Sequence, residues 1–222
     1  LPSTGEKIEY RPFLVKEQKI LMMAMESEDV TAQSKAVVDI IKNCTFGAIN
    51  NKVETLPTFD IEYMFLRIRS KSVGETVELT ITCQDDGETK VPVNVNLEDI
   101  NVVKTEGHDT TIMITDKIGL TMRYPTMKQL MSYDMSKITT MEGTFKVIND
   151  CLENVFDENE VYEEMNSKEL QEFIEQMTTE QFQKVSEFFN TMPKLKHTLK
   201  VKNPNTGVEN DIVLEGMQSF LG

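Results

Sequence analysis

The sequence predicts an α+β fold in which helical N- and C-terminal parts pack with an antiparallel β-hairpin module, at about 75–124, and with a C-terminal β-hairpin. The first observation behind this is a two-residue beat. Val77, Leu79, Ile81 and Cys83 alternate with Thr76, Glu78, Thr80 and Thr82, and Val91, Val93, Val95 and Leu97 repeat the pattern. Ile112, Ile114, Ile118, Leu120 and Met122 carry it on. Such alternation marks half-buried antiparallel strands. The second observation is that the flanking regions shift to helical spacing. The third is a return to period two after Pro193, where Leu195, His197, Leu199 and Val201 share one face.

Taken in order, Ile8 and Tyr10 alternate with Lys7, Glu9 and Arg11, which predicts a short strand ended by Pro12. A helix follows from about Leu14. Its second half, Ile20 to Met25, is apolar on nearly all sides, as expected of a helix buried on more than one face. Asp29 is placed to cap a second helix carrying Val30, Val37, Val38, Ile41 and Cys44. After Pro57, Ile61, Met64, Phe65 and Ile68 form the stripe of a third, which Gly74 ends in a left-handed turn.

The first two strands of the central module are joined by Gln84-Asp85-Asp86-Gly87-Glu88, where Asp-Gly signals reversal. Pro92 cannot donate to a ladder, so the second strand is expected at an edge or at a bulge. A second hairpin turns near Asp116-Lys117, and Pro125-Thr126 returns the chain to helix.

A short helix over 126–133 precedes a longer one over about 141–156, with Phe145, Ile148, Leu152, Val155 and Phe156 as its stripe. An acidic connection over 157–164 leads to Asn166 with Glu169, a capping box, and Thr178 with Gln181 repeats it. The last helix buries Phe182, Val185, Phe189 and Met192, and Pro193 stops it. Asn203-Pro204-Asn205-Thr206-Gly207 then reverses the closing hairpin onto Ile212 and Leu214. These changes of period divide the chain into 1–74, 75–124 and 125–222, the last forming one compact unit with the first.

Composition bounds the function. At 222 residues the chain lies between one and two domains at about 150 residues each. Asp and Glu number 37 against 23 Lys and Arg, a formal charge of −14, which argues against gripping a phosphate backbone and so against nucleic acid as partner. The longest apolar run, Ile20 to Met25, is far short of a membrane span, and no basic-then-apolar leader is evident, so a soluble, unexported protein without a membrane partner is expected. Cys44, Cys83 and Cys151 are odd in number and widely separated, which fits a reducing compartment, with Cys44 and Cys151 as small buried apolar groups.

The chemical inventory is thin. No phosphate-cradling glycine loop, HExxH helix or nucleophile elbow is present. Glu106-Gly107-His108-Asp109 is the most site-like cluster, three titratable groups in one loop, but no second motif completes it and a solvated loop is the plainer reading. Asp157, Asn159 and Glu160 resemble a calcium loop without its glycine or its final glutamate. Cys83 alone cannot hold zinc. No cofactor, metal site or catalytic residue is expected. Fourteen methionines suit irregular core filling or an adaptable partner surface.

Two stretches carry a resemblance. Ile8-Glu9-Tyr10-Arg11-Pro12-Phe13-Leu14-Val15-Lys16-Glu17-Gln18-Lys19-Ile20-Leu21-Met22 and Phe188-Phe189-Asn190-Thr191-Met192-Pro193-Lys194-Leu195-Lys196-His197-Thr198 resemble the ends of the baseplate hub and hub-assembly proteins of T4-type contractile-tailed bacteriophages. The resemblance implies a structural or assembly role in the tail baseplate hub, by contact with other phage tail and baseplate hub proteins and without catalysis. It implies synthesis in the host cytoplasm and a place in the virion tail. The alternatives are a transient assembly chaperone for hub proteins and, behind it, a small metal-dependent enzyme using the 106–109 loop. On either baseplate reading the polar hairpin tips are the candidate contacts: Asp85, Asp86 and Glu88 on one, Glu106, His108 and Asp109 on the other.

Overall fold

Helices lead the chain because the apolar residues of its first third recur at three and four positions. The computed structural model describes residues 1–27, 29–162 and 166–220. Helix α1 spans Val15–Glu26, α2 Val30–Cys44 and α3 Thr58–Val73. Strands β1 (Thr76–Thr82), β2 (Lys90–Asn96), β3 (Asn101–Val103), β4 (Thr111–Met113) and β5 (Gly119–Met122) follow. Then come α4 (Met127–Ser132), α5 (Met141–Cys151), β6 (Leu152–Phe156), β7 (Val161–Tyr162), α6 (Ser167–Glu175) and α7 (Thr179–Thr191). The strands β8 (Lys194–Lys202) and β9 (Glu209–Glu215) precede a final 3-10 turn over Met217–Phe220. All strand pairs are antiparallel. The fold is α+β.

The chain divides into two compact units, 1–103 with 193–222, and 104–192. In the first, α1 packs on α2 and α2 on α3. Asp29 starts α2 by accepting the Thr31 N–H at 2.8 Å; Val37, Ile40, Ile41 and Cys44 are buried on α2, as are Ile61, Phe65 and Ile68 on α3, the helix it packs on. Two sheets complete this unit. The β1–β2 hairpin turns Val77, Leu79, Ile81 and Val95 toward Leu195, Val201 and Ile212 of the β3–β8–β9 sheet, with Leu66 and Phe220 closing the core. Pro92 lies on β2, an edge strand, as its missing N–H requires.

The second unit is a four-stranded sheet in the order β4-β5-β6-β7. Leu120, Met122, Leu152 and Val155 form a core with Ile148 and Cys151 of α5, Ile174 of α6, and Val185 and Phe188 of α7. Capping boxes start α4 at Thr126, α6 at Asn166 and α7 at Thr178, each pairing with Gln129, Glu169 and Gln181 respectively.

Several sequence expectations are corrected. No strand forms over 7–12; Arg11 donates its N–H to the Cys44 carbonyl instead. The second half of α1 is not enclosed, because Ile20, Met22 and Met23 are exposed and only Ala24 of that run is buried. The helix expected over 141–156 ends at Cys151, after which the chain pairs Leu120 with Val155 and Gly119 with Phe156. The apolar spacing fits a helix there, but β-branched Val155 and aromatic Phe156 find a complete ladder partner in β5. Gly74 ends α3 at φ 121° and ψ 156°, a mirror-extended conformation open to glycine, not a left-handed turn. The strands of the 75–124 stretch enter three different sheets, because β3 finds its partner in β8. Of the acidic connection over 157–164, the part to Tyr162 includes β7, and the remainder lies outside the described residues.

Candidate functional site

The first predicted tip, between β1 and β2, is built into an internal latch. Asn203, fully buried in the β8–β9 turn, donates from Nδ2 to Asp85 at 3.0 Å and to Asp86 at 2.8 Å. Asn210 donates to Asp85 at 3.0 Å, and its Oδ1 accepts the backbone N–H groups of Gln84 (2.9 Å) and Asp85 (3.0 Å). The Thr206 hydroxyl also donates to Asp85. Asp86 closes its own turn by accepting from Thr89 and from the Glu88 N–H. Donors converging on a carboxylate favour its charged form. The hydroxyl of Thr206, then the amides of Asn203 and Asn210, hold Asp85 below the usual carboxylate range, and Thr89 followed by Asn203 does the same for Asp86. Glu88 remains exposed, tied to the turn by its backbone N–H, which donates to Asp86 at 3.1 Å.

The second expected tip is not a hairpin, because β3 pairs with β8 and β4 with β5, so 104–110 is a connection between strands of different sheets. His108, expected in a solvated loop, is only 7% exposed. Its Nδ1 lies 2.9 Å from Thr191 Oγ1 and its Nε2 3.2 Å from the Tyr124 hydroxyl. The Thr191 hydroxyl donates to the Glu187 carbonyl at 2.8 Å, so it accepts from Nδ1–H, and Nε2 accepts from Tyr124. The ring also packs 5.2 Å from Phe188 and 5.8 Å from Tyr124. Burial, then the charge of Lys104, lowers its pKa against the opposing effect of Asp109. The imidazole is a neutral core group. Glu106 and Asp109 are exposed beside it, Asp109 accepting the Thr111 N–H at 2.9 Å.

The six predicted contact residues therefore fall in two places, Asp85, Asp86 and Glu88 in the first unit and Glu106, His108 and Asp109 in the second. Sequence reasoning missed Asn203 and Asn210. The Asn203-Pro204 turn signals a reversal, but nothing in local spacing says which hairpin it will meet.

The sequence also missed a surface. Val15, Met22 and Met23, at 81, 56 and 60% exposed, lie along the outer side of α1 with Lys19 between them. Its inner side is pinned by Glu17, which is fully buried and accepts from Arg11 at 3.1 Å and from the Leu14 N–H at 2.7 Å. Burial would raise the Glu17 pKa, but the Arg11 hydrogen bond and the Leu14 N–H outweigh it and the net shift is downward. An ion pair so anchored fixes which side of α1 faces outward.

Among the described residues no group of three or more His, Cys, Asp or Glu side chains is placed to hold a metal ion, and no helix is long and apolar enough to cross a membrane. The three cysteines are buried and unbridged. No curated protein and no solved structure matches the chain. The family model for the T4 bacteriophage base plate protein matches residues 1–222, the whole sequence, and the chain belongs to that family.

Proposed function

We propose that the protein is a non-catalytic structural or assembly component of the baseplate hub of a contractile phage tail, acting by contact with other tail and baseplate hub proteins. Assembly takes place in the host cytoplasm and the product resides in the virion tail. Membership of the base plate family supports the setting. The observation that carries the mode of action is the outer side of α1: Val15, Met22 and Met23 are exposed apolar groups, and the flexible thioethers of the two methionines adapt to a facing surface. The exposed carboxylates of Glu88 in the β1–β2 turn and of Glu106 and Asp109 in the β3–β4 connection add polar contacts, while Asp85, Asp86 and His108 hold those two segments in shape.

The test is a tagged chain supplied during infection by a phage lacking its own copy. Recovery of baseplate proteins with the tag, and a charge reversal at Glu88, Glu106 and Asp109 that weakens it, is the expected result. A tag that brings down no other tail protein removes the reading. Charge reversal without effect, beside a strong effect of Met22→Lys with Met23→Lys, assigns the contact to α1 alone.

A further inference from the structure

Among the described residues the outer edge of β1 in the first unit has no partner strand. In the β1–β2 hairpin the Cys83 N–H donates to the Thr89 carbonyl at 2.8 Å and the Leu97 N–H to the Glu75 carbonyl at 2.7 Å. With the regular register from Thr76↔Asn96 to Thr82↔Lys90, these bonds place the odd-numbered residues in the hydrogen-bonded pairs. The even-numbered residues therefore aim their N–H and C=O groups away from the hairpin. On β2 these are Lys90, Pro92, Asn94 and Asn96, and a proline with a lysine is a common way of blunting an edge. On β1 they are Thr76, Glu78, Thr80 and Thr82, all with exposed side chains. This edge has no proline, lysine or bulge, and among the described residues its sheet contains no third strand.

The residue pattern of β1 selects an occupant. We propose that β1 is a self-pairing edge, on which two copies of the chain join antiparallel about Leu79 to form a continuous four-stranded sheet. In that register Thr76 stands opposite Thr82 of the second copy and Glu78 opposite Thr80, and these are the residues whose N–H and C=O groups point outward. Val77 meets Ile81 and Leu79 meets Leu79 on the face turned to the core, where each is 8% exposed in the single chain. Threonine pairs and apolar pairs are favourable cross-strand neighbours, and no like charges oppose one another. A slip of two residues one way sets Glu78 against Glu78, and the other way leaves Thr76 and Val77 without a partner inside β1, so the register about Leu79 is the one that pairs the whole strand without opposing like charges.

The other long edge does not share this property. On β9 the Gly216 N–H bond to Leu195 and the Asn203 N–H bond to Val208 place Glu209, Asp211, Val213 and Glu215 outward. Self-pairing about Ile212 would set Glu209 against Glu215 twice, a like-charge opposition that disfavours it.

The full-length chain is to be examined by sedimentation velocity from about 1 μM to about 1 mM, the range in which weak strand-edge association is read. The expected weight-average mass rises from 25.4 kDa toward twice that value. Thr80→Pro removes an outward N–H and no bond to β2, so it is expected to abolish the rise while leaving the circular dichroism melt in place. Under mild oxidation, Glu78→Cys mixed with Thr80→Cys is expected to give a cross-linked heterodimer, whereas Glu78→Cys alone gives none; the native cysteines are buried. If Thr80→Pro does not fold, the cysteine pair decides. The proposal is overturned by a chain that stays monomeric at the highest concentration, by a dimer that persists in folded Thr80→Pro, or by Glu78→Cys cross-linking to itself as readily as to Thr80→Cys. It is equally overturned if the chain is monomeric and Thr80→Pro blocks entry into tails, since the edge then accepts a strand from a different protein.

Discussion

Glu62 offers the sharpest physical test of the first unit. It lies on α3 and accepts the Met217 N–H of the closing 3-10 turn; burial raises its carboxyl pKa to about 7 from an ordinary 4.5, against the lowering effect of that N–H and with a further push from the charge of Glu215. Because the folded value lies above the unfolded one, this group's contribution to stability is complete below pH 4.5 and is lost as the pH rises through 7. Integrating the two titrations, the folded state should lose about 2 kcal/mol from this group between about pH 5.5 and about pH 8.5. Glu62→Gln keeps an acceptor for Met217 and cannot ionise, so its stability should lack that loss. Native-state hydrogen exchange at the Phe65 and Leu66 amides, corrected for intrinsic rates, reads the opening of this unit. A variant whose exchange free energy falls with pH as steeply as that of the parent would refute the argument.

Three other outcomes follow from the same structure. Asn203→Ala removes the amide shared by Asp85 and Asp86, so both carboxyls should titrate closer to their ordinary values in carboxyl-carbon NMR, and the melting temperature should fall. Gly119→Ala drives a Cβ into the Phe156 ring and to 2.9 Å from Met113 Sδ, which should cost about 1–3 kcal/mol in urea unfolding of the second unit. His108 has a folded pKa below its ordinary 6.5, so its contribution is full above pH 6.5 and is lost as the pH falls through the folded value. His108→Gln should therefore flatten the acid side of the second unit's melting profile.

The local elements were legible in the sequence wherever residues decide their own partners. Asp29, Asn166 and Thr178 cap the helices they precede, because a short oxygen-bearing side chain satisfies the nearby N–H groups whatever the rest of the chain does. The strand alternation of Val77, Leu79 and Ile81 and of Leu195 and Val201 appears as the two inner faces of one core. What local spacing could not supply is the long-range choice. Val155 and Phe156 satisfy a helical stripe and a strand equally well, and β5 decided between them. Likewise, Met22 and Met23 read as core because the second half of α1 is apolar on nearly all sides, yet buried Glu17, held by Arg11, turns them outward.

The site was less legible than the fold for the same reason. Asp85 and Asp86 look like free surface charges until Asn203 and Asn210, more than a hundred positions away, are brought onto them. His108 looks like a loop residue until Thr191 and Tyr124 enclose it. Asp85, Asp86 and His108, expected to meet a partner, first meet the protein itself.

The central claim is that this base plate family member works by protein contact through the outer side of α1. Its most direct test compares the tagged parent with the Met22→Lys, Met23→Lys double variant in infected cells, scoring the baseplate proteins recovered with each. Both side chains are more than half exposed, so the variant should melt as the parent does. Recovery reduced at least about tenfold, which corresponds to 1.4 kcal/mol of lost contact, is the result expected; equal recovery by the two proteins would contradict it.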